Sequence, residues 1–72
     1  MKLYTILDSR GPTTYHRSRA VCALDLIDRL GADRPNNLTG SEIVAALTRS
    51  SRVWILTESG REVSVDWQEV GQ

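Results

Sequence analysis

Apolar and polar positions alternate over residues 2–8, with Leu3, Thr5 and Leu7 on one side and Tyr4 and Ile6 on the other. A period of two over residues rich in β-formers predicts a strand. It ends in Asp8-Ser9-Arg10-Gly11-Pro12, a dense turn signal. Thr13-Thr14-Tyr15-His16 reads equally as a returning strand or as loop. The period then lengthens. Ala20, Ala23, Leu24, Ile27 and Leu30 recur at helical spacing, and Cys22 and Leu26 widen the stripe. Ser18 suits the N-cap of this helix and Gly31 its C′ position. Arg17, Asp25, Asp28 and Arg29 fill the opposite arc. Asp25 precedes Arg29 by four residues, which is the spacing of a favourable surface ion pair.

Residues 32–37 hold Asp33, Pro35 and two asparagines and read as a loop. Thr39-Gly40-Ser41-Glu42 has the spacing of a capping box, in which the Thr hydroxyl accepts from the Glu42 N–H and the Glu carboxylate reaches back. Ile43, Ala46 and Leu47 give the second helix a short apolar face, and residues 48–51 close it.

Residues 52–67 predict a β-hairpin around Glu58-Ser59-Gly60. A three-residue loop ends on a residue with positive φ, and glycine adopts that conformation without steric cost. Thr57 then pairs with Arg61, Ile55 with Val63, Val53 with Val65 and Arg52 with Asp66. In this register Trp54 and Leu56 share a face with Glu62, Ser64 and Asp66, opposite the valines. A two-residue loop, Ser59-Gly60, exchanges the faces and makes Trp54 core, because side chains alternate with period two. The three-residue loop is adopted because its glycine sits where the bulge needs it. An aromatic and a leucine on a polar sheet face mark a binding surface, so Arg52, Trp54, Leu56, Glu62 and Asp66 are the candidate partner-binding residues. Trp67 is assigned to the core. Gly71 and Gln72 are expected to fray.

Seventy-two residues make one small domain, residues 1–72. A chain of this size buries about 60% of its unfolded surface, so its stability is modest and dimerisation stays open as a way to gain core. One cysteine allows no internal disulfide, and Cys22 with His16 falls short of the four ligands a structural zinc site needs. The expectation is a fold without metal or cofactor. No run approaches the ~20 apolar residues of a membrane span, and the first residues lack the apolar run and cleavage site of a signal peptide. The chain is read as cytoplasmic. Its net charge of zero argues against a strongly basic nucleic-acid binder. Eight of the nine basic residues are arginine, which is favoured at interfaces and is also enriched by GC-rich coding.

Catalysis requires a nucleophile, a base and an orienting group, or a metal. Cys22 lies in the helical stripe, where a cysteine behaves as a small core residue. His16 stands alone before the helix, the carboxylates show no pairing, and no phosphate-binding glycine loop occurs. The chain is therefore not expected to be an enzyme.

Ile43, Leu47, Ser50 and Val53 lie at spacings found in helix-turn-helix units, and Leu56-Thr57-Glu58-Ser59-Gly60-Arg61 has the form of a wing tip. Over about thirty residues the chain resembles winged helix-turn-helix proteins. That resemblance implies a recognition helix over residues 51–57 and phosphate contacts from Arg49, Arg52 and Arg61. Thr48 replaces the usual turn glycine, Val53-Trp54-Ile55 favours a strand, and Glu58 and Glu62 oppose an anionic ligand.

The combined reading is a small α+β domain. An antiparallel sheet from the N-terminal strand and C-terminal hairpin carries two helices on one face. The expected function is non-catalytic binding of another protein, a host factor. Its size and lack of an active-site set fit phage or mobile-element products that inhibit a host protein complex. A winged-helix DNA-binding regulator is the alternative, and an antitoxin-like or homodimeric scaffold is a third reading.

Overall fold

The computed structural model describes residues 1–71; Gln72, expected above to fray, lies outside them. The fold is α+β, with the order β1 (Lys2–Asp8), β2 (Thr14–His16), α1 (Arg19–Leu30), α2 (Gly40–Arg49), β3 (Arg52–Leu56) and β4 (Glu62–Glu69). Two single 3-10 turns, Gly31–Asp33 and Pro35–Asn37, join the helices. The four strands form one antiparallel sheet in the order β2-β1-β4-β3. The first and last strands in sequence are thus central neighbours, and Thr14–His16 forms an edge strand rather than a loop.

One face of the sheet carries Tyr4, Ile6, Ile55, Val63 and Val65, all buried. Cys22, Ala23, Leu26 and Leu30 of α1 and Ile43 and Leu47 of α2 complete this core, so both helices lie on the same face. The caps form where the sequence places them. Ser18 accepts from the Val21 N–H, and Thr39 and Glu42 make the reciprocal capping box. The hairpin adopts the three-residue loop: Val53 pairs with Val65, Ile55 with Val63, and Thr57 N–H donates to the Arg61 carbonyl. Gly60 has φ +87, the conformation that the bulge after a type I turn demands.

Three expectations are corrected. The buried arc of α1 centres on Cys22 and Leu26, and Leu24 is 68% exposed. Eight apolar residues in this segment admit two overlapping helical arcs, and contact with the sheet selects one. Arg29, placed above on the solvent arc, is 8% exposed at its side chain. Residues 52–56, which a helix-turn-helix would need as recognition helix, are strand β3. Val53-Trp54-Ile55 follows its β-propensity there, paired against β4.

Cys22 has no exposed surface, and burial, with Asp25 adding to it, pushes its thiol up to about 11. A thiol reagent at neutral pH should therefore modify the folded protein at least about a hundredfold more slowly than the denatured chain, because the thiolate is the reactive form. Equal rates in buffer and in denaturant would contradict this burial.

Candidate functional site

The sheet face turned away from the helices is open. Its composition follows from strand register. β3 places Arg52, Trp54 and Leu56 there, opposite Asp66, Ser64 and Glu62 of β4. All five candidate partner-binding residues therefore lie on one face. β1 adds Leu7, across from Ser64, and Thr5, across from Asp66; β2 adds Tyr15, across from Thr5. Leu7, Tyr15, Trp54 and Leu56 are the exposed large apolar side chains of this face, with Trp54 61% exposed. Sequence reasoning missed Leu7 and Tyr15, because their face depends on how β1 aligns with β4 and β2.

Polar groups border Trp54. Arg52 grips Asp66 with two hydrogen bonds, Nε to Oδ1 at 2.5 Å and Nη2 to Oδ2 at 3.3 Å. That pair, Leu7, Ser64 and the Trp54 ring enclose a shallow concavity of about 470 Å³. A second groove of about 390 Å³ runs on the other side of β3. Pro35, Asn36 and Leu38 wall it, with Glu42 of α2 opposite Trp54 and Leu56. Asn36 and Asn37 have positive φ (50 and 54), an uncommon backbone state that asparagine tolerates better than most residues.

No protein-family model matches the chain, and no curated protein or solved structure matches it significantly.

A second cluster lies at the far end of β1 and is a lock. Asp8, whose side chain is fully buried, receives Arg61 as a fork, Nε to Oδ1 at 3.0 Å and Nη2 to Oδ2 at 2.6 Å. Arg29 Nη1 reaches Asp8 Oδ2 at 3.1 Å, and the Arg10 N–H donates to Oδ1. Hydrogen bonding from Arg61 outweighs burial and, with Arg10 and Arg29, holds the Asp8 carboxyl far below the usual carboxylate range. Arg29 also binds the Pro12 carbonyl, the Thr14 hydroxyl and Asp25. Asp25 lies 2.7 Å from His16 Nε2. Burial pushes the Asp25 carboxyl up, but hydrogen bonds from Arg29, His16 and Thr14 bring it below its ordinary value. Gly11 leaves the space this cluster needs, since a Cβ there would stand 2.8 Å from Asp8 Oδ2. A carboxylate held by two guanidinium groups is a poor base, and the Thr14 hydroxyl near His16 already donates to Asp25. The cluster ties β1, the β1–β2 loop, β2, α1 and the β3–β4 loop together. Among the described residues, no group of three or more His, Cys, Asp or Glu side chains is gathered as metal ligands would be, and no helix is long and apolar enough to cross a membrane.

Proposed function

We propose that the chain is a non-catalytic module that binds another protein through the open face of its sheet. The observation that carries this reading is Trp54, 61% exposed at the centre of an apolar patch with Leu7 and Leu56. Tryptophan and arginine are the residue types enriched among binding hot spots, and Arg52 is already oriented by Asp66. An apolar patch rimmed by polar groups marks an interaction surface. A host factor in the cytoplasm is the partner class put first, on chain size and the single unbridged cysteine. Duplex DNA draws less support, because residues 52–56 form a strand and net charge is zero.

Trp54→Ala is the test. It should cost the fold under about 1 kcal/mol, as a surface substitution does, and weaken partner binding by about 2 kcal/mol or more. Denaturant melts measure the first quantity. Affinity capture from the native cell, comparing wild type and variant by mass spectrometry, measures the second. Equal recovery of every partner by both proteins would remove this face from consideration. Sub-micromolar, salt-sensitive binding to a duplex would favour the DNA-binding alternative, since phosphate contacts release counterions.

A further inference from the structure

Strand β3 is an edge of the sheet. The ladder to β4 runs through odd-numbered residues: Trp67 N–H donates to the Ser51 carbonyl, and Thr57 N–H to that of Arg61. Antiparallel pairs alternate between bonded and non-bonded, so Arg52, Trp54 and Leu56 direct their N–H and C=O groups out of the sheet. Ser50 Oγ occupies both groups of Arg52, accepting from its N–H and donating to its carbonyl. The ladder leaves Trp54 and Leu56 with one outward donor and one outward acceptor each. The segment between Arg52 and Leu56 has no proline, lysine or bulge, the usual guards against edge pairing.

We propose that β3 pairs with β3 of a second copy of this chain, antiparallel about a two-fold axis at Ile55. The register is set by complementarity. It places Trp54 opposite Leu56 of the second copy, and Leu56 opposite its Trp54. The outward N–H and C=O groups of Trp54 and Leu56 then bond one another reciprocally, which gives two bonds for each of the two facing pairs. The same register brings Arg52 toward Glu58 of the second copy, the first residue of its hairpin turn, and the Arg52 of that copy toward Glu58, so opposite charges flank the apolar centre on both sides. A shift of the axis by one residue, to Trp54, sets Arg52 opposite Leu56 instead. It loses the charge match and competes with Ser50 for the Arg52 N–H. Both strand neighbours remain on the open face, so pairing joins the two Trp54-centred patches into one surface across an eight-stranded sheet, four strands from each copy. The pairing stands independently of the identity of any further partner.

Sedimentation equilibrium of the purified chain tests this together with amide exchange. The expected result is a dimer at micromolar concentrations, with the Trp54 and Leu56 amides becoming protected as concentration rises. Leu56→Pro removes one outward N–H and no ladder bond to β4, so a folded monomer is expected, since edge strands tolerate proline at such positions. Glu58→Arg should raise the dimer dissociation constant by about tenfold, because two facing pairs become repulsive. Adding Arg52→Glu to that variant should restore most of the loss. A wild-type monomer at every concentration up to about 1 mM overturns the proposal, as does a dimer in which the Trp54 and Leu56 amides exchange freely. Neither of those outcomes bears on Trp54→Ala in partner capture.

Discussion

Asp8→Asn is expected to destabilise the protein by about 3–5 kcal/mol, the cost of breaking a buried ion pair and leaving its partner uncompensated. Arg29 and Arg61, 8% and 17% exposed at their side chains, would keep their charge with no carboxylate between them. Total stability of a small domain is about 5–15 kcal/mol, so the variant will sit near the edge of folding. Urea melts measure the effect, and a loss under about 1 kcal/mol would show that the cluster is not a lock. Acid titration of the wild type tests the same group without a mutation. The folded pKa of Asp8 is depressed, so its stabilisation is full above the ordinary aspartate value of about 4 and drains away as pH falls below it toward the folded value. Asp25, also depressed, acts in the same direction. The midpoint of urea unfolding should therefore fall steeply below about pH 4. A flat profile through that range would argue that neither carboxylate contributes.

Trp67→Ala should cost about 3 kcal/mol, at the lower end of the range for a large aromatic, because the ring is only half buried. Part of the loss is polar. The indole Nε1 donates to the Leu47 carbonyl at 3.2 Å and to the Ser50 carbonyl at 2.9 Å. The last carbonyls of a helix have no partner within it, so a β4 side chain satisfies the C-terminus of α2. Lys2 also rests over the ring, 4.1 Å from its centroid. Trp67→Phe keeps the apolar ring and loses the donor, and should cost about 1–2 kcal/mol. Thermal or urea melts of the two variants separate ring from donor. If both cost the same, the ring packing carries nothing beyond the hydrogen bonds.

Local signals are legible in the sequence, and signals that depend on distant partners are not. The capping box at Thr39 and Glu42 and the turn at Gly60 lie within a few residues of the groups they satisfy, so each was legible from spacing alone. The Gly60 turn fixed the parity of β3 and with it the exposed face of Trp54, Leu56 and Arg52. Leu7 and Tyr15 join that face only through the alignment of β1 with β4 and β2. The Asp8 cluster was invisible for the same reason, as its arginines stand 21 and 53 residues away. The i, i+4 spacing of Asp25 and Arg29 predicts a helical pair, and that pair does form. Helical periodicity gives the pair and is silent on which strand end covers it. The exposure of Leu24 follows the same logic, since an amphipathic pattern reports an arc and the sheet chooses its centre.

The placement of β1 beside β4 has a kinetic consequence. The two elements farthest apart in sequence make the middle of the sheet, and the Asp8–Arg61 fork closes a span of 53 residues. Loop-closure entropy must be met before that pairing returns any hydrogen bond, although it grows only slowly with length, by about 0.6 kcal/mol per doubling. The helices and the β3–β4 hairpin need only local contacts. Topologies rich in non-local pairs fold more slowly than helical bundles of equal size. The slow event in this chain is therefore expected to be the docking of the local β1–β2 pair against β4, which brings the Asp8 carboxylate out of water together with both guanidinium groups.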